Sequence, residues 1–135
     1  MAEVSITATD VKLTDANARH DYVKVGEAVT AGEFGYPNAD EYLLTDSSTA
    51  GKETPAVMFL QSVASGQKCL VALPNSIVDV GAVLTESTAY FLSGTPGKME
   101  LESDIASGEK VTLVGFAESA TQFRFRPSAS GVAKP

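Results

Sequence analysis

The sequence predicts an all-β fold: one compact domain of short antiparallel strands, barrel- or sandwich-like, with an extended N-terminal arm. Three observations predict it. Short segments rich in Val, Leu, Thr, Tyr and Phe alternate with Gly, Pro, Asn and Ser along the chain. The phrase Ala-Ser-Gly-acid/amide-Lys occurs twice, as Ala64-Ser65-Gly66-Gln67-Lys68 and Ala106-Ser107-Gly108-Glu109-Lys110, each time as a polar turn opening an apolar run. No segment sustains a 3.6-residue period beyond a turn or two, and residues 99–105 support one helical turn at most, through Leu101 and Ile105.

Residues 1–21 read as an arm and linker. Val4, Ile6 and Ala8 share one parity and Val11 and Leu13 the other, so a bulge or bend is expected near Thr9-Asp10. The polar stretch 14–21 is a loop, and the β domain starts at Tyr22. Strands are expected at 22–25, 28–30, 41–44, 56–64, 68–73, 77–80, 88–93, 110–117 and 120–126. Residues 35–40 and 45–55 are punctuated loops, the second facing solvent or a partner. Val23-Lys24-Val25-Gly26 matches Val78-Asp79-Val80-Gly81, and each is followed by a tyrosine strand and an Ala-Ser-Gly turn. Two related modules, 22–73 and 78–127, would explain this, as would chance recurrence of turn chemistry. Residues 128–135 read as a flexible tail.

A chain of 135 residues has room for one domain with one substantial core. With 44% apolar and 20% charged residues it belongs among folded globular proteins. Seventeen acidic against ten basic side chains give a formal charge of −7, which disfavours diffuse binding to anionic nucleic acid but leaves room for a local positive stripe. The single cysteine, Cys69, sits in an apolar run and reads as a buried reduced thiol, with an intermolecular disulfide or a nucleophile as the alternatives. Neither a signal-peptide pattern nor an apolar run long enough to cross a bilayer is evident, so the expected workplace is the cytoplasm or an assembled particle.

Catalytic patterns are not evident. His20 lies between Arg19 and Asp21 with no second His or Cys nearby, and reads as solvated. No serine sits in a Gly-x-Ser-x-Gly elbow. Glu100 with Glu102, and Asp10 with Asp15, read as solvated acidic faces. Gly51-Lys52 lacks the glycine spacing of a phosphate loop. Calcium, through Asp40, Glu41 or Asp46, is the least implausible metal, but no calcium-loop pattern is present. No enzyme activity, cofactor or metal is expected.

The most informative stripe is Thr121-Gln122-Phe123-Arg124-Phe125-Arg126. Period two places Phe123 and Phe125 toward a core and Gln122, Arg124 and Arg126 on the opposite face. The two guanidiniums can pair with Glu100, Glu102 or Glu109 of the same chain, or with carboxylates on a partner.

The run from Val78-Asp79-Val80-Gly81 through Ala89-Tyr90-Phe91-Leu92-Ser93-Gly94, then Asp104-Ile105-Ala106-Ser107-Gly108-Glu109-Lys110 and Val114-Gly115-Phe116-Ala117 to Thr121-Gln122-Phe123-Arg124-Phe125-Arg126-Pro127 resembles the carboxyl-terminal half of small tailed-bacteriophage head decoration, or cement, proteins. The resemblance covers residues 78–127 well and 22–73 more loosely. It implies a non-enzymatic β domain that binds the major capsid protein on the outer surface of an assembled head, often as a homotrimer, made in the host cytoplasm, with no direct nucleic-acid or membrane contact. Val4, Ile6, Val11 and Leu13 of the arm, with Arg124 and Arg126, are the candidate partner-binding residues. The alternative is a receptor- or carbohydrate-binding module of a fibre or tail, with Tyr22, Tyr36, Tyr42 and Tyr90 as a sugar platform. A small oligomeric β-barrel enzyme is a third reading.

Overall fold

A computed structural model describes residues 4–13, 19–48 and 52–135. Its eleven strands form two antiparallel sheets. The front half of the chain builds the first, from β2 (His20–Lys24), β3 (Phe34–Asn38), β4 (Glu41–Leu44), β5 (Val57–Phe59) and β6 (Lys68–Ala72), in the order β2-β6-β5-β3-β4. The back half builds the second, from β7 (Ile77–Asp79), β8 (Ala89–Leu92), β9 (Met99–Glu100), β10 (Lys110–Ala117) and β11 (Gln122–Ala133), with β1 (Lys12–Leu13) on its edge: β1-β7-β11-β10-β8-β9.

The five-stranded sheet curls on itself. A parallel bridge joins Val25 to Tyr42, and the Gly26 N–H donates to the Tyr42 carbonyl at 2.9 Å, so the two outer strands meet. Inside this small barrel-like turn lie Val25, Val29, Val57, Phe59, Cys69 and Val71. Gly35 is required on β3 because a Cβ there would run into the Phe59 ring. The alternate residues Phe34, Met58 and Ala72 point outward and meet Val78, Tyr90, Leu92, Val114, Phe123 and Phe125 of the other sheet in the main core. Barrel-like and sandwich-like features therefore coexist, and the central strands β5 and β6 place apolar side chains on both faces.

The repeated turns have one geometry. The Gln67 N–H donates to the Ala64 carbonyl at 3.2 Å and the Glu109 N–H to the Ala106 carbonyl at 3.1 Å. In return, Gln67 Oε1 and Glu109 Oε1 each accept from the N–H of the alanine that opens the turn, both at 3.1 Å. Gly66 and Gly108 have φ of +86° and +90°, a region that costs any other residue energy. Acid and amide interchange at the fourth position because both supply the same acceptor oxygen.

Several expectations change. The segment 35–40, read as a loop, is the strand β3 and its hairpin. Pro37 is tolerated because β3 pairs with β5 only through Phe34 and Gly35, so no strand lies beside Pro37 on that side and its missing N–H breaks no ladder bond. Residues 28–30 contribute only the Val29–Val63 bridge. Thr45 and Ser47 of the expected solvent-facing loop are buried, with Ser47 accepting from the Lys110 N–H and donating its own N–H to Ser93; residues 49–51 lie outside the described residues. Residues 128–133, expected as part of a tail, continue β11 and pair with β10 as far as Lys110–Ala133. Glu100, read as part of a solvated face, is fully buried on β9.

Candidate interaction surface

The arm packs on its own chain. Val11 is 8% exposed within the main core, and Val4, Ile6, Ala8 and Leu13 pack against that core. The change of parity at Thr9-Asp10 is absorbed by a 3-10 turn, Ala8–Asp10, which lets side chains of both parities face the same way. The Val4 N–H donates to Met99 on β9 at 3.0 Å, while Lys12 and Leu13 pair with Asp79 and Val78 on β7. The segment thus runs as a strap from one side of the six-stranded sheet to the other. Val4, Ile6, Val11 and Leu13, the arm residues expected to meet a partner, are packed on the core of the same chain.

Phe123 and Phe125 are fully buried as their parity requires, and both rings lie about Phe34, with centroids 6.0 and 5.7 Å away. The opposite face carries the two arginines, which do different work. Arg124 Nε donates to Glu118 Oε1 at 2.6 Å and its guanidinium reaches the Asn75 carbonyl at 3.3 Å. Glu118 therefore takes the place expected for Glu100, Glu102 or Glu109, because it sits at the β10–β11 turn directly beside Arg124. Arg126 is exposed and has no ion pair among the described residues.

Arg126 borders a groove of about 560 Å³ lined also by Pro74, Asn75, Leu113, Phe116, Pro127 and Ser128. The groove has a backbone cause. Leu113 pairs with Ser128 but Gly115 pairs with Phe125, so β11 spends three steps where β10 spends two; toward β8, Leu113 faces Phe91 and Gly115 faces Tyr90, so β10 spends two steps against one. Such bulges break the alternation of sides. Val114 and Ala117 stay in the core, while Leu113 and Phe116, three residues apart, both turn to the outer face and remain half-buried. Gly115 permits the close approach, since a Cβ would strike the Arg124 backbone. Pro127 has no N–H and so loses no donor bond at the irregularity.

Sequence reasoning found the arginine stripe but not the groove. Its signals were Gly115 within a largely β-branched and apolar strand and Pro127 directly after Arg126, both marks of a broken ladder.

No family model, curated protein or solved structure matches this chain.

The remaining candidates are dispersed. Tyr90 is buried, and its hydroxyl accepts from the Thr85 N–H at 2.9 Å; Tyr42 packs in the barrel interior, while Tyr22 is 59% exposed on β2. The four tyrosines do not make one platform. Cys69 is fully buried inside the barrel, and burial pushes its thiol pKa up. Among the described residues no group of three His, Cys, Asp or Glu side chains is placed to hold a metal ion. Among the described residues no helix is long and apolar enough to cross a membrane.

Proposed function

We propose that this chain is a capsid decoration protein, which binds the major capsid protein on the outside of an assembled phage head and stabilises contacts between capsomers, as a homotrimer over three-fold positions. The order of strands and turns over residues 78–127 supports that assignment of class. The observation that carries a binding role is the outer face of β10 and β11, where half-buried apolar side chains line a groove bordered by Arg126, which has no ion pair among the described residues. Such a face is suited to another protein: apolar area supplies affinity and the guanidinium supplies orientation. The two-sheet body gives this face a rigid support, and the acidic surface elsewhere keeps the subunit soluble.

Adding the purified chain to empty heads tests the proposal. Saturation at a simple multiple of the local three-fold positions supports it. Binding to a glycan array without binding to heads would replace it with the receptor- or carbohydrate-binding reading.

A further inference from the structure

We infer that the groove on β10 and β11 is a docking site for an extended, acidic segment of the partner protein, with a partner carboxylate on Arg126 and a neighbouring aliphatic or aromatic side chain on Leu113 and Phe116. The inference rests on the reading that this chain works by binding another protein, and it names the chemistry of what is bound.

Three separate observations converge on this occupant. The first is charge. Arg124, two residues away on the same face, is held by Glu118 and the Asn75 carbonyl, but Arg126 has no ion pair among the described residues. In a chain of net charge −7, a guanidinium left without a carboxylate on an outer face is complemented by negative charge from outside. Its planar fork matches a carboxylate through two parallel hydrogen bonds. The second is shape. The bulge that turns both Leu113 and Phe116 outward makes a cavity of about 560 Å³ beside that fork, enough to take a side chain as well as a carboxylate.

The third is backbone. Strand β7 pairs with β11 only at Gln122, Phe123 and Arg124, and the chain leading into it bonds no further than Phe125. Beyond that point β11 runs to Ala133 with strand pairing on its β10 side alone among the described residues. An unpaired strand edge next to a groove accepts an extended chain through main-chain bonds, while the groove selects its side chains. A folded helix or a nucleic acid would not use that edge, and the net acidity opposes the nucleic acid.

The test uses the full-length protein and a displayed library of random eight-residue segments. The expected result is enrichment of Asp or Glu within two positions of an aliphatic or aromatic residue. Enriched peptides, made synthetically, should bind Arg126→Gln at least tenfold more weakly than the parent, bind Lys24→Gln unchanged, and lose affinity as salt is raised. Amide shifts on binding should cluster at Leu113, Phe116 and along 126–133. Arg126→Lys, which keeps charge but loses the fork, should fall between parent and Arg126→Gln. Failure to enrich any segment, enrichment without a carboxylate, or equal binding to Arg126→Gln in a folded variant overturns the inference. Head binding separates this from the functional reading: heads that take up parent and Arg126→Gln equally sink the docking site and leave decoration standing, whereas peptide recognition without head binding does the reverse.

Discussion

Replacing Val11 by Ala should destabilise the isolated chain by about 2 kcal/mol. Val11 is only 8% exposed and lies within the main core, reached by the strap that crosses from β9 to β7. Removal of two buried methyl groups costs about 1.6 kcal/mol at roughly 0.8 kcal/mol for each, and the cavity left behind raises this to about 2 kcal/mol. The backbone stays ordered in both proteins, so conformational entropy does not enter the difference. Urea unfolding followed by circular dichroism reads the effect as a fall of roughly 1 M in midpoint, given a slope of about 2 kcal/mol per molar for a domain of this size. The midpoint shift should be the same across a hundredfold range of protein concentration, because the strap packs within its own chain. A change within about 0.5 kcal/mol would place Val11 outside the core. A loss that shrinks as concentration rises would show that the strap packs on a neighbouring subunit instead.

Three further outcomes follow from the same structure. Gly66→Ala and Gly108→Ala should each cost about 1 kcal/mol in chemical denaturation, since an added Cβ meets no atom within 4 Å at either place and the whole penalty is the positive φ. Gly115→Ala should cost more, about 3 kcal/mol, through collision with the Arg124 backbone, and a milder effect would mean the bulge can relax. Because burial raises the Cys69 pKa, the folded chain holds that proton more tightly than the unfolded chain. This contribution to stability is intact below the ordinary thiol value of 9.0 and is lost as pH rises through it toward the folded value; thiol labelling at pH 8 should accordingly wait on unfolding, and rapid labelling of the native chain would contradict the burial.

The legible parts of the chain are those set by local chemistry. The two Ala-Ser-Gly-acid/amide-Lys phrases each specify a turn, since glycine permits the positive φ and Gln67 or Glu109 returns an acceptor to the same chain position, whereas Ala129-Ser130-Gly131, followed by Val132, runs on within β11. Period two sorted Phe123 and Phe125 from the arginines, and the parity slip at Thr9-Asp10 marked the 3-10 turn. What the sequence hid depends on distant partners. Gly35, Pro37 and Asn38 carry poor strand propensity, and β3 forms because Phe34 fills the core and Gly35 makes room for Phe59. Ser128 to Ala133 similarly gains strand form from pairing with β10. The pattern of the strap left two placements open, because an edge strand on its own core and an arm for a neighbour share the same apolar alternation. The groove arises from register shifts among three strands, which no single segment encodes.

The most direct test of the central claim is the number of chains bound per empty head at saturation, measured together with hydrogen exchange of the bound protein. A decoration role through the β10–β11 face predicts occupancy at a simple multiple of the three-fold positions and new amide protection at residues 113–117 and 124–133. Absence of saturable binding, or protection confined to the five-stranded sheet while β10 and β11 exchange as in the free chain, would contradict it.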